Sequence, residues 1–133
     1  MQYIDSNIFI LAAIDSAGRG DRARNRIENL VNSGKPFATS SLTFGEIMWT
    51  LMRHTDRGTA LQQAERVMGF SGLIIVNAAR KEVAETLRLM AKYRSMKPRD
   101  AMHLACALSA GSDSIISDDE DFKAIDEVVW ERP

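Results

Sequence analysis

The chain of 133 residues has one cysteine, Cys106, and two histidines. A single thiol excludes an intramolecular disulfide, and its place in the apolar run AMHLACALSA reads as a buried structural side chain. Neither a Cys pair nor a His pair stands at zinc-ligand spacing, so a zinc site is excluded as well. Charge of one sign is not in excess: Lys plus Arg is 17 against 18 for Asp plus Glu, a formal net charge of −1. That balance removes any general attraction for nucleic acid, and phosphate binding would need a local patch. No apolar run approaches the roughly 20 residues that span a bilayer. The N-terminal MQYIDSNIFI has no basic stretch before its apolar residues and does not read as a secretory signal. A cytoplasmic protein without a membrane association is the expectation. Repeats, linkers and low-complexity segments are absent, so one domain over residues 1–133 is expected.

What is there alternates. Tyr3 and Ile4 form a short apolar strand that stops at Asp5, and IFILAAI continues as a helix until Gly18 and Gly20 break it. Asp21 to Asn32 has apolar residues at helical spacing, FATS is a short strand, and Ser40 or Ser41 caps a helix running to about His54. Asp56 to Phe70 is a further helix with Leu61, Ala64 and Met68 on its inner face. The continuous apolar LIIV, Leu73 to Val76, suits a strand covered on both sides. A helix from Ala78 to Tyr93 should bury Val83, Leu87, Met90 and Ala91. Pro98 suits a first helical turn, and Ala101 to Ala110, apolar nearly all round, predicts a central buried helix. Ser114 to Ile116 and Glu127 to Trp130 complete the strands. Such alternation predicts an α/β layered fold around a largely parallel sheet.

Four acidic sites stand where apolar segments meet a turn or an apolar helix face: Asp5, Glu46, Asp100, and the group Asp118, Asp119 and Asp121 in SDDEDF. Each has an ordinary explanation. Asp5 can cap a helix, although Ser6 or Asn7 can do so instead. Glu46 has Leu42 and Trp49 at i−4 and i+3, which gives it a partly apolar face. Asp100 in a first helical turn interacts favourably with the helix dipole. SDDEDF can be a solvated turn, with Asp119 the first side chain well past the sheet edge, Asp121 able to share its site and Asp118 directed away. Ligands of open α/β sheets bind beyond the carboxyl ends of the strands, where Asp5 and Asp119 would meet if their strands are neighbours. Converging carboxylates raise one another's pKa and call for a cation. With oxygen ligands alone, Mg²⁺ or Mn²⁺ is the expected ion, able to activate a water and stabilise charge on a phosphoryl oxygen. His103, three residues after Asp100, is expected behind the ligands rather than among them. Ser6, Asn7 and Ser117 are candidates to orient the carboxylates. Lys97 and Arg99 flank Asp100 and are candidate phosphate contacts, whereas Arg19, Arg22 and Arg26 suit a solvated helix face.

The ordered set of YIDSN, Glu46, RDAMHLACAL and SDDEDF resembles the PIN-domain family, within it the single-domain ribonuclease toxins of the VapC type and their archaeal relatives. The resemblance spans essentially the whole chain. Asp5, Glu46, Asp100 and Asp119 match the family's acidic positions, with Asp121 an auxiliary acid. The resemblance implies a three-layer α/β/α sandwich and metal-dependent cleavage of RNA. It also implies homodimerisation and inhibition by a small antitoxin protein. Two other classes compete with a nuclease: a PIN-like module that only binds a partner, and an Asp-rich phosphoacceptor domain. Asn7, where the latter would carry a second Asp, counts against it.

Overall fold

The computed structural model describes residues 1–133. Its five strands are β1 (Gln2–Ile4), β2 (Phe37–Ser40), β3 (Leu73–Val76), β4 (Ser114–Ile116) and β5 (Val129–Glu131). They form one sheet in the order β3-β2-β1-β4-β5, and every neighbouring pair is parallel. The helices are α1 (Ser6–Ile14), α2 (Gly18–Asn32), α3 (Ser41–His54), α4 (Arg57–Met68), α5 (Arg80–Lys92) and α6 (Pro98–Ser109). From β1 the chain steps outward through β2 to β3, then returns past β1 to β4. Right-handed crossovers in opposite directions put their helices on opposite faces of a sheet. The result is the expected α/β/α sandwich.

Strand alternation sorts the core into two layers. Tyr3, Ala38 and Ile115 pack with Leu89, Leu104, Ala105 and Cys106 on the α5–α6 side. Ile4, Phe37 and Ile116 pack with Ile8, Phe9, Ile27, Ile47 and Leu51 on the other. As expected, α6 is central: Ala101, Ala105, Cys106 and Ala107 are all buried. Small side chains along this helix leave little to hold its axis away from the strands. None of the helices is long and apolar enough to cross a membrane.

Several expectations fail in detail. The sheet is covered on both faces, but β3 lies at its edge, which leaves Ile74 exposed. α4 buries Ala60, Ala64 and Val67, while Leu61 and Met68 face solvent. α5 turns Val83 (43%) and Leu87 (67%) outward and buries Glu82, Thr86 and Leu89 instead. Polar pairing fixes that rotation: Glu82 accepts from Ser109 Oγ at 2.7 Å and from the Ala79 amide at 3.1 Å, and Thr86 donates to Met102 Sδ at 3.4 Å. Apolar spacing alone cannot register such bonds. Gly18 and Gly20 do not interrupt structure but open α2. A Cβ on Gly20 would lie 1.9 Å from the Asp15 carbonyl oxygen, so this turn requires glycine. The last strand is Val129–Glu131, shifted from Glu127–Trp130 by pairing of Ser114 with Val129.

Candidate metal centre

Strand order reverses between β1 and β4, and at such a point the carboxyl ends of the strands leave a crevice. Asp5 and Ser117 are the first residues past those two strands, and the Asp5 amide donates to Ile116 O at 3.0 Å. Asp5 has the extended backbone of an N-cap (φ −74°, ψ 152°), yet its side chain makes no capping hydrogen bond. Neither Ser6 nor Asn7 takes that task. Asp5 Oδ2 accepts from Ser117 Oγ at 2.7 Å, and Oδ1 accepts from Ser6 Oγ at 3.3 Å. Ser117 Oγ also accepts from Asn7 Nδ2 and from the Asp119 amide, both at 3.0 Å. One hydroxyl therefore ties the β1 turn to the β4 turn.

Beyond Ser117 the acids diverge. Asp118 pairs with Arg19 and points away, as expected. Arg19 stays exposed on its helix face, as expected, with Asp118 as its partner there. Asp119 Oδ1 accepts from the Asp121 amide at 2.9 Å and caps the short 3₁₀ turn Glu120–Ala124. Asp121 follows on the same side. Asp100 reaches them from the first turn of α6, where Pro98 supplies the preset φ. Ligand oxygens of Asp100, Asp119 and Asp121 all lie within 4.8 Å of one another. Asp5 is outside this tight group. Asp100 Oδ2 is buried and has no hydrogen-bond partner. Burial, then the charges of Asp119, Asp5 and Asp121, raise the Asp100 carboxyl from 3.8 to about 6, with Lys97 acting weakly against them. A buried acceptor without a donor, crowded by like charges, fits a cation that the oxygen ligands of a hard divalent ion would suit.

Glu46 lies on the other side of the crevice, in the middle of α3. Of the two apolar neighbours expected beside it, Leu42 is half-buried but Trp49 is 67% exposed and does not cover the carboxylate. Polar partners cover the carboxylate instead. His103 Nε2 stands 2.6 Å from Oε1. Oε2 accepts from Arg99 Nη2 at 2.6 Å, Arg99 Nε at 3.0 Å and Ser6 Oγ at 3.1 Å. Burial raises the Glu46 carboxyl, but His103 and then Arg99 outweigh it and hold the group below its usual range. Burial disfavours the His103 cation, yet Asp5 and Glu46 raise its pKa overall. Both shifts favour the charged forms of the two partners. His103 is buried. Arg99 and Lys97 are both largely exposed, Lys97 with Nζ 3.7 Å from Asp121 Oδ2.

The sequence pattern of the PIN domain family matches residues 3–128. The chain belongs to that family. Among curated proteins none matches its sequence. The fold of this PIN domain is similar to VapBC2 from Rickettsia felis bound to a promoter DNA fragment, with a TM-score of 0.77 and 18% identity over 99% of this chain and 98% of that one. It is equally similar to Mycobacterium tuberculosis VapC20, described as a sarcin–ricin loop cleaving toxin (TM-score 0.77, 15% identity, 96% and 98% covered). A toxin–antitoxin complex from Klebsiella pneumoniae gives a TM-score of 0.67 at 24% identity over 97% and 96% of the two chains. At these identities the likeness is one of fold.

One residue of this PIN domain escaped the sequence reading. Tyr3 was legible only as a strand residue, yet its hydroxyl lies 2.7 Å from His103 Nδ1. The available signal was its alternation: Tyr3 and Asp5 are two apart at a strand end, and a buried phenol needs a partner.

Proposed function

We propose that this PIN domain is a Mg²⁺- or Mn²⁺-dependent endoribonuclease that hydrolyses RNA phosphodiester bonds as the toxin of a toxin–antitoxin pair. The carrying observation is the convergence of Asp100, Asp119 and Asp121 around a buried oxygen of Asp100 that no donor satisfies. Family membership and likeness in fold to toxins, one described as cleaving the sarcin–ricin loop, support RNA as the substrate.

Asp100, Asp119 and Asp121 would hold the ion, with Asp5 completing the acidic wall. When bound, the ion supplies a more acidic water and neutralises charge on the phosphoryl oxygens. Glu46, fixed on one oxygen by His103, accepts the proton of the attacking water. Ser117, Ser6 and Asn7 orient Asp5 and the Asp119 turn. Lys97 and Arg99 stand exposed beside the acids, where RNA phosphates would meet them. An RNA substrate also fits a cytoplasmic location.

The groove between α1, α2 and α4 suits an antitoxin. It measures about 470 Å³ and is lined by Phe9, Ala12, Ile27, Val31, Val67 and Phe70, with Arg24 and Arg66 among its polar residues. Such a surface accepts the apolar face of a partner segment. It also favours a second reading, a module whose main output is complex formation. Exposed Trp49 and Met52 on α3, and Val83 and Leu87 on α5, offer apolar area to a second copy in a homodimer.

RNA cleavage with Mg²⁺ or Mn²⁺, its loss on chelation, and its loss in Asp100→Asn test the enzyme reading. Equal cleavage by wild type and Asp100→Asn would assign the activity to a contaminant. A wild type that binds its partner but cleaves no RNA with either ion would favour the binding module.

A further inference from the structure

Glu46 is gripped by two kinds of donor, and they differ in how freely they can let go. Arg99 holds Oε2 from a side chain that is 75% exposed. His103 holds Oε1 from inside the core, with its Nε2 at 2.6 Å and the Asp5 Oδ1 at 3.6 Å from the same nitrogen. The ring has little freedom to turn. Its other nitrogen, Nδ1, is 2.7 Å from the hydroxyl of Tyr3, which is fully buried. The two rings meet edge to face, with centroids 5.9 Å apart and planes at 64°. This small network joins three elements of the site: β1 carries Tyr3 and leads into Asp5, α6 carries Asp100 and His103, and α3 carries Glu46.

We infer that Tyr3 and His103 are positioning residues for Glu46, a buried anchor that keeps this carboxylate in place when Arg99 leaves it. The idea rests on the nuclease reading. An arriving phosphate competes for the exposed guanidinium, because Arg pairs with phosphate in the same forked geometry as with carboxylate. Glu46 then loses its two Arg99 bonds and keeps those from His103 and Ser6. With Oε1 fixed by His103, Oε2 keeps only the Ser6 hydroxyl and has room to face a water. A glutamate on a helix without such an anchor would gain several side-chain rotamers at that moment, and a proton acceptor must be held in a narrow geometry to work. Tyr3 acts one step further back: its hydroxyl fixes the tilt of the imidazole and, through it, the Nε2 direction. Neither Tyr3 nor His103 is within the group of Asp100, Asp119 and Asp121, so loss of the anchor should leave ion binding nearly intact.

The test uses the full chain as wild type, Tyr3→Phe, His103→Leu and His103→Gln. It reads kcat and KM for RNA, Mn²⁺ affinity by electron paramagnetic resonance, and the imidazole protons of the metal-free protein by NMR. His103→Leu should lower kcat by about 10–100-fold, the cost usual for a residue that orients an active group, with KM and Mn²⁺ affinity changed by less than about threefold. His103→Gln, whose amide can still donate to Glu46, should recover most of that loss. Tyr3→Phe removes one hydroxyl and should lower kcat less than His103→Leu. A His103→Leu or Tyr3→Phe protein with unchanged kcat, or one whose Mn²⁺ affinity falls as far as its kcat, overturns the inference. If His103→Leu does not fold, the kcat of Tyr3→Phe decides by itself. If the wild type cleaves no RNA, the nuclease reading fails and NMR judges the anchor separately: the His103 ring protons should shift in both Tyr3→Phe and Glu46→Gln. Ring protons unmoved in both variants overturn the anchor as well.

Discussion

The two halves of the acidic crevice are built on opposite terms. On the side of Asp5 and Glu46, all four carboxylate oxygens have donors, from Ser117, Ser6, His103 and Arg99. On the side of Asp100, Asp119 and Asp121, acids crowd within 4.8 Å and one buried oxygen has no donor at all. A satisfied carboxylate is a fixed object whose charge the protein has already answered. An unsatisfied one leaves its charge to be answered from outside, by a proton or a cation. The difference separates holding a reactive group in place from holding an ion, two tasks that the acids alone would blur.

Asparagine and glutamine substitutions should break that comparison most strongly. Asp100→Asn should weaken Mn²⁺ binding by at least about 100-fold, since it removes a charged ligand worth several kcal/mol, and cleavage should fall with it. Glu46→Gln should also abolish most cleavage while leaving Mn²⁺ affinity within about threefold. Calorimetric titration of both variants checks the pair. If they lose metal affinity equally, the two halves form a single ligand shell and the separation drawn between them is wrong.

A smaller effect lies in the pH dependence of stability, and its sign differs between the halves. The folded Asp100 carboxyl titrates at about 6 against an ordinary 3.8, so the native state holds a proton that the unfolded chain has already lost. Stability from this group is complete below the ordinary value and is lost as the pH rises through about 6. Glu46 is shifted down, so its contribution is present above the ordinary range and is lost as the pH falls through the lowered one. Metal-free Asp100→Asn should therefore be more stable than wild type at pH 7.5, by about 1 kcal/mol after discounting for the partly exposed carboxyl, and equal to it near pH 4. Urea melts at the two pH values measure this. Saturating Mn²⁺ at 100 times its Kd should stabilise the wild type by about 2.7 kcal/mol. A wild type that gains nothing from Mn²⁺ would leave the crowded acids without their cation.

The sequence made the site's corners legible and its interior much less so. Asp5 and Asp100 could be placed because a strand end and a helix start are local features, signalled by TyrIle before one acid and by Pro98 before the other. The layered fold followed from the same punctuation. Glu46 was chosen for a partly wrong reason: its neighbour Trp49 faces solvent, and the carboxylate is covered by His103 and Arg99 from another helix. Those contacts join residues more than 50 positions apart, which no periodicity encodes. The outward turn of Val83 and Leu87 has the same origin, since Glu82 and Thr86 pair with α6 and set the rotation of α5 against its apolar spacing. Polar bonds between elements were the missing information in each case.

The smallest predicted effect belongs to the two exposed cations, which happen to divide between the halves. Lys97 leans on Asp121 at 3.7 Å, and Arg99 is bound to Glu46. If both contact phosphate, replacing each by Ala should flatten the salt dependence of RNA binding, lowering the slope by about 0.7 per charge removed for a single strand. Binding is best measured in the Asp100→Asn background, where RNA survives. Equal slope changes do not require equal affinity changes, because Arg99 must first release a charged partner at 2.6 Å while Lys97 releases one only loosely held. Lys97→Ala should thus cost more RNA affinity than Arg99→Ala, whose loss also frees Glu46. The reverse order, or a slope unchanged by both, would mean that phosphates approach from another face and that Arg99 serves Glu46 alone.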